Sequence, residues 1–132
     1  MIREVIVRNM VFKAGAPRVC VPLVARDLNA LAEAVRQAGA VPCDLVEFRA
    51  DYLEDADDDA VEKALGLIRE KLGTMPVLFT FRTAAEGGEH RVSREDYARL
   101  NLLAARSGYA DLVDVEALRD ESAAMELIAR LH

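Results

Sequence analysis

Hydrophobic residues follow two spacings along the chain. Four times a short run of apolar and β-branched residues is followed by a polar turn and then by a segment in which apolar residues recur every three or four positions. Short runs of this kind are typical of strands, and the longer segments are typical of amphipathic helices. The pattern predicts four βα units over residues 15–132, preceded by a β-hairpin in residues 1–14 that turns near Arg8 and Asn9.

Capping residues mark the ends of the predicted helices. The helical spacing covers residues 26–38, 60–72, 93–107 and 121–132. We expect Asp27 and Ser93 to cap the first and third helices, and Gly39 and Gly73 to end the first and second. Strands alternating with such helices predict right-handed crossovers and a parallel sheet. Four units form either a small open sheet or the N-terminal half of a (β/α)8 TIM barrel, and no linker divides this single α/β domain.

Three of the four predicted strands are apolar on one face and polar on the other. In residues 44–51, Val46 and Phe48 alternate with Glu47 and Arg49, because successive side chains of a strand point to opposite faces. The polar positions of the next two strands are Thr80 and Arg82, and Asp114 and Glu116. These charges gather at the carboxyl ends of the strands, where (β/α)8 barrels build their sites.

This placement of charges predicts a polar pocket. Guanidinium groups hold oxygens and carboxylates accept hydrogen bonds from hydroxyls, so the pocket suits a small, hydroxyl-rich anion. The alternative is that the charges form buried ion pairs, Glu47 or Glu86 with Arg49 or Arg82. Burying so many charges is costly unless a ligand or water shares the space, and we therefore favour the pocket.

The overall composition restricts the partners. A net charge of −6 and a pI near 4.9 argue against a general binder of nucleic acid or of anionic membranes, because both need a basic surface. Charges interrupt the apolar runs, and the N-terminus has no signal-peptide core, so we expect no membrane span and a cytoplasmic location.

Neither the cysteines nor the acidic run predicts a metal site. Cys20 and Cys43 lie in apolar stretches without metal-ligand spacing, and we expect two buried free thiols. The acidic residues 54–59 lack the spacing of a calcium-binding loop and are better explained as the start of a helix. No glycine-rich phosphate loop follows a strand, so we expect no nucleotide, metal or organic cofactor.

Several of these segments occur together in one known family. Residues 44–51 read DLVEFRAD, residues 79–83 read FTFRT, and residues 86–89 read EGGE, while residues 111–116 read DLVDVE. In this order and at these separations they resemble the N-terminal half of type I 3-dehydroquinate dehydratases. The similarity extends to the opening VRNMVFKAGAPRVCVPL, and so to essentially the whole chain.

The resemblance implies a (β/α)8 barrel with the hairpin closing its base, and a dehydration in the shikimate pathway. In that family a lysine late in the barrel forms an imine with the ketone of 3-dehydroquinate, and the imine acidifies the neighbouring carbon. A histidine removes the proton and later protonates the departing hydroxyl, which gives dehydroshikimate.

The resemblance also assigns roles to residues of this chain. By motif position, Glu86 would orient the histidine with help from Glu47, while Glu47, Arg49 and Arg82 would contact the substrate. Asp114 and Glu116 are further candidates for the pocket. Family members vary where this chain has Pro22, so the resemblance implies no contact there.

The lysine and the histidine of the family have no counterpart in the chain. Lys13 falls in the hairpin, and Lys63 and Lys71 fall on the second predicted helix. His90 is expected to be a solvated loop residue, and His132 is the last residue. The 132-residue chain is therefore expected to be inactive by itself.

Three interpretations follow from this absence. The chain is the N-terminal half of a dehydratase that a C-terminal half would complement, which we favour. It is otherwise a non-catalytic half-barrel that binds a polyhydroxy carboxylate and associates with a second copy. An unrelated four-stranded α/β domain is the third and weakest interpretation. Open strand edges make association, including a homodimer, expected under the first two.

Overall fold

The computed structural model describes residues 3–132, and its first element is the predicted hairpin. Strand β1 (Val5–Val7) pairs antiparallel with β2 (Met10–Phe12). Arg8 has φ 53, a left-handed conformation that the tight turn requires. The turn near Arg8 is thereby confirmed, while residues 1 and 2 of the predicted hairpin segment lie outside the described residues.

Four βα units follow the hairpin and form one parallel sheet. The elements are β3 (Cys20–Leu23), α1 (Leu28–Gly39), β4 (Leu45–Arg49), α2 (Asp58–Leu72), β5 (Val77–Thr80), α3 (Arg94–Arg106), β6 (Leu112–Val113) and α4 (Glu121–Leu131). The strands lie in the order β3-β4-β5-β6, and every neighbouring pair is parallel. The predicted alternation of strands and helices is confirmed.

Each helix begins at a side chain that accepts a hydrogen bond from the first turn. Asp27 and Ser93 cap α1 and α3 as predicted, accepting from backbone N–H groups at 2.8 and 3.1 Å. Asp57 caps α2, which therefore begins two residues earlier than expected, and the acidic run is confirmed as a helix start. Gly73 ends α2 with φ 60, whereas α1 continues through Gly39.

The main core lies between the sheet and the helices. Its largest fully buried side chains include Phe48, Phe79, Phe81, Leu23, Leu31, Leu65, Ile68 and Leu100. Phe48 of β4 and Phe79 of β5 pack edge to face, with ring centroids 6.0 Å apart. The helix-facing residues of the strands thus fill the core, as their alternation predicts.

A smaller cluster covers the opposite, inner face of the sheet near the amino ends of the strands. Val7 and Met10 of the hairpin are buried there against Leu45, with Leu78 and Leu112 packed beside them. The hairpin covers these apolar positions and not the charged positions further along the strands. The polar carboxyl ends of the strands are thus left for a site.

An ion-pair network joins the hairpin, the sheet and α2 at the amino ends of the strands. Asp111 accepts from Arg8 Nε and Arg69 Nη2, each at 2.7 Å, and from the backbone N–H of Val77 at 2.9 Å. Arg69 also donates to the carbonyl oxygen of Tyr109 at 2.6 Å. These contacts bridge residues far apart in sequence and hold the units in register.

The expectation that both cysteines are buried is wrong. Cys20 is exposed and Cys43 is only half-buried, whereas both were expected to be buried. Cys20 lies on the edge strand β3, where the helix-facing position is taken by Leu23. Strand β6 is short and pairs with β5 through Leu112 and Val113.

None of the helices in residues 3–132 is long and apolar enough to cross a membrane.

Candidate active site at the carboxyl ends of the strands

The inner face of the sheet brings together polar residues from neighbouring strands. In the parallel register, Glu47 lies beside Pro22 of β3, and Arg49 lies beside Thr80 of β5. The hydroxyl of Thr80 donates to Glu47 Oε2 at 2.7 Å. This bond fixes one oxygen of the Glu47 carboxylate and leaves the other for a further partner.

Arg49 is held by a carboxylate two residues further along the chain. Its Nε and Nη2 atoms donate to the two oxygens of Asp51, both at 2.9 Å, and its guanidinium carbon lies 4.8 Å from the centroid of the Tyr52 ring. Asp51 is fully buried, and this bond raises the pKa of Arg49. The two bonds to Asp51 fix the direction of the Arg49 guanidinium group. The third nitrogen, Nη1, takes no part in them.

The buried ion pairs considered from the sequence are not those that form. Within residues 3–132, Arg49 pairs with Asp51 and not with Glu47 or Glu86, and Arg82 forms no ion pair. Arg82 is half-buried just after β5. A guanidinium in this position remains available to an anion.

Charged residues from the ends of three neighbouring strands surround Asp114. Burial raises the pKa of Asp114, the negative charge of Glu47 raises it further, and the positive charges of Arg82 and Arg49 oppose the rise. Glu47, Arg49 and Arg82 therefore each lie within electrostatic reach of Asp114. The four groups define the candidate site on the inner face.

Glu86 lies at the tip of the loop that follows β5. Residues Ala84–Glu86 form one turn of 3-10 helix, and Gly87 ends it with φ 87. A Cβ atom on Gly88 would lie 1.9 Å from the carbonyl oxygen of Arg82, so only glycine allows the loop to fold back so tightly. Glu86 is exposed, and its carboxylate takes part in no hydrogen bond or ion pair within residues 3–132.

Glu116 is engaged by the same loop. Its carboxylate accepts from the backbone N–H and the hydroxyl of Thr83, both at 2.8 Å. Its own N–H donates to the hydroxyl of Tyr97 at 2.9 Å, and burial raises the pKa of Tyr97 to about 12. Glu116 thus contacts Thr83 and Tyr97, and its place in the substrate pocket stays a prediction.

His90 ends the loop and is not the solvated residue expected from the sequence. Its Nε2 donates to the carbonyl oxygen of Leu53 at 2.6 Å, and its ring lies against the buried Phe81 with centroids 6.4 Å apart. The side chain is half-buried because the loop folds back over the end of β4. The contact with Leu53 is long-range in sequence and could not be found from the local pattern.

The chain also forms a cleft of about 560 Å³ between α3 and α4, away from the charged inner face. Its lining includes Val92, Tyr97 and Leu127, together with Glu116. Glu47, Arg49 and Arg82 do not line it. The four charged groups of the candidate site are half-buried at the ends of the strands.

The lysines lie far from the candidate site. Lys13 follows β2, and Lys63 and Lys71 lie on α2, where Lys63 pairs with Asp59 at 2.7 Å. Their expected placement in the hairpin segment and on the second helix is confirmed. Within residues 3–132, none of the three lysines lies at the carboxyl end of a strand of the parallel sheet.

The structure was compared with solved structures of other proteins. The chain superposes with a TM-score of 0.94 on a type I 3-dehydroquinate dehydratase from Clostridium difficile, with 31% identity, covering 100% of this chain and 52% of that one. For the 3-dehydroquinate dehydratase from Enterococcus faecalis the TM-score is 0.87 and the identity 37%, covering 96% and 53%. The fold is therefore the N-terminal half of a (β/α)8 barrel.

Sequence comparisons identify the family. The model of the family described as "Type I 3-dehydroquinase" matches residues 19–132. A 3-dehydroquinate dehydratase of Listeria monocytogenes serotype 4a is 46% identical over 130 residues, and one from Syntrophotalea carbinolica is 43% identical over 127. The chain belongs to the type I 3-dehydroquinase family. The alignment with the Listeria protein covers 98% of this chain and 52% of that protein. The chain therefore spans about half the length of these curated relatives.

Proposed function

We propose that the chain supplies the substrate-contacting half of a type I 3-dehydroquinate dehydratase site. The observation that carries this proposal is the convergence of Glu47, Arg49, Arg82 and Asp114 at the carboxyl ends of three neighbouring strands. Guanidinium groups bind the carboxylate and hydroxyl oxygens of 3-dehydroquinate, and the carboxylates accept from its hydroxyls.

Each residue has a role that its contacts support. Arg49 presents Nη1 while Asp51 holds its other nitrogens, and Arg82 carries no competing ion pair within residues 3–132. Glu47 keeps one oxygen outside its bond with Thr80. These side chains bind the substrate and fix its ring, which lowers the entropic cost of the reaction.

Glu86 orients the histidine that moves the proton. Its carboxylate is exposed and uncommitted at the loop tip, so it can accept a hydrogen bond from an imidazole ring. The carboxylate favours the charged form of that ring and thereby raises its basicity. Glu47 assists from the inner face.

The remaining chemistry comes from a second segment of polypeptide, because no lysine of this chain is near the site. A lysine amine condenses with the substrate ketone and releases water to form an imine. The histidine removes a proton from the adjacent carbon, the electrons move into the imine, and the hydroxyl leaves as water after it takes a proton from the histidine. Hydrolysis of the imine then releases dehydroshikimate. The hairpin closes the base of the resulting barrel.

A complementation assay tests the proposal. The 132-residue chain is mixed with the part of the Listeria monocytogenes dehydratase that it does not match, and dehydration of 3-dehydroquinate is measured. Turnover is expected for the mixture and not for either part alone. Arg82→Ala should raise the KM of the mixture about a hundredfold, since one charged contact is lost. Arg36→Ala, on an exposed face of α1, is the matched control and should leave KM unchanged. Turnover by the chain alone would contradict the proposal.

A second candidate function is a half-barrel that binds a polyhydroxy carboxylate and pairs with another copy. The open edges favour it: β3 and β6 are both unpaired on their outer sides within residues 3–132. Exposed apolar side chains accompany these edges, with Val19 before β3 and Leu118, 97% exposed, after β6. Sedimentation would show a dimer at micromolar concentration. A stable monomer would rule this candidate out.

A further inference from the structure

Three side chains outside the charged group hold the loop that carries Glu86. These are Asp51, His90 and Glu116. Asp51 and Glu116 lie outside residues 83–90 and accept hydrogen bonds from them, whereas His90 is the last residue of that segment and binds Leu53. We infer that these three are positioning residues, which fix the place of Glu86 without touching the substrate. The inference rests on the proposed function and deepens it.

Glu116 anchors the start of the loop. It accepts from both the N–H and the hydroxyl of Thr83 at 2.8 Å, so the first residue of the loop is bound twice by the segment that follows β6. The Thr83 carbonyl in turn accepts from the N–H groups of Glu86 and Gly88 at 3.0 and 2.9 Å. The position of the Glu86 backbone therefore depends directly on Thr83.

His90 anchors the end of the loop on the other side. Its Nε2 donates to the Leu53 carbonyl at 2.6 Å, and Leu53 is itself buried after β4. The His90 carbonyl accepts from the N–H of Ala84 at 2.8 Å, which closes the loop on itself. The two ends are thus fixed to each other and to the neighbouring unit.

Asp51 links the loop to the substrate-contacting arginine. The oxygen that accepts from Arg49 Nη2 at 2.9 Å also accepts the N–H of Glu89 at 3.4 Å, a long and weaker bond. A fully buried carboxylate cannot easily change its partners, because any unpaired buried charge is costly. Arg49 and the Glu86 loop therefore share one fixed support.

Hydrogen exchange in the 132-residue chain tests the anchoring without any assay of catalysis. In His90→Ala the amides of residues 84–90 should exchange about tenfold faster, the effect of losing one buried hydrogen bond. The amides of β4 and β5 should change less than about twofold, since these strands lie in the stable core. His90→Gln retains a donor for Leu53 and should restore slow exchange. Thr83→Val keeps the shape but removes the hydroxyl bond to Glu116, and it should give the same local acceleration. Unchanged loop exchange in both His90→Ala and Thr83→Val would overturn the inference.

The complemented enzyme tests the consequence for Glu86. Asp51→Asn and His90→Ala should each lower kcat about tenfold or more. In a chain that already carries Glu86→Gln, the further substitution His90→Ala should leave kcat nearly unchanged, because both residues act through the Glu86 carboxylate. Asp59→Asn, an exposed carboxylate on α2, is the matched control and should leave kcat unchanged. Additive losses in the double variant would overturn the positioning role. An inactive mixture would contradict the proposed function alone, since the exchange result stands independently of turnover.

Discussion

Gly88 and Arg82 lie in such close contact that a Cβ atom on Gly88 would be 1.9 Å from the Arg82 carbonyl oxygen. The glycine pair after β5 is therefore a steric requirement of the loop that returns over the strand end. Its first glycine adopts φ 87, and its second lies against backbone. The loop conformation that carries Glu86 depends on both.

Gly88→Ala should destabilise the chain by about 3 kcal/mol, because the added methyl group meets a backbone atom that cannot move alone. Urea unfolding measures the change. Gly66→Ala is the control within α2, where a new Cβ would lie 3.6 Å from Tyr109 in ordinary contact. It should stabilise the chain by up to about 1 kcal/mol through helix propensity. Equal effects of the two substitutions would contradict the steric explanation.

Asp111→Asn should cost about 3 kcal/mol, because it removes the charge that faces both Arg8 and the largely buried Arg69. Asp59→Asn removes the same charge from an exposed pair with Lys63 and should cost less than about 0.5 kcal/mol. The comparison is made by urea unfolding of both variants at neutral pH. A loss for Asp111→Asn no larger than that for Asp59→Asn would show that the network contributes little.

The raised pKa of Asp114 predicts a pH dependence of stability. The folded state binds the Asp114 proton more tightly than the unfolded state does, so the contribution of this group to stability falls as the pH rises from the ordinary value of 3.8 through the raised one. Asp114→Asn removes the titrating group. The stability of this variant relative to the original chain should therefore increase from pH 4 toward neutral pH, as unfolding at a series of pH values would show. A relative stability that decreases over this range would contradict the burial of Asp114 beside Glu47.

The fold followed largely from local patterns. The turn at Arg8, the caps at Asp27 and Ser93 and the helix end at Gly73 are all set by neighbouring residues, and all were predicted correctly. The polar face of β4 was also visible, because strand alternation is a local property.

The contacts that shape the site were less accessible to sequence reasoning. Asp51 pairs with Arg49 because the short turn after β4 brings its carboxylate back toward the guanidinium group. The bonds of His90 to Leu53 and of Glu116 to Thr83 join positions 37 and 33 residues apart. Such pairs form when the strand ends come together in the folded sheet. The spacing of hydrophobic residues along the chain therefore cannot predict them.

Reductive trapping tests the central claim most directly, namely that this chain binds the substrate but does not supply the imine lysine. The 132-residue chain is treated with 3-dehydroquinate and borohydride, with and without the complementary part of the Listeria monocytogenes dehydratase, and both polypeptides are weighed by mass spectrometry. Borohydride reduces an imine to a stable amine, so the adduct marks the lysine that formed it. We expect the adduct only in the mixture and only on the complementary polypeptide. A stable adduct on Lys13, Lys63 or Lys71 would contradict the account.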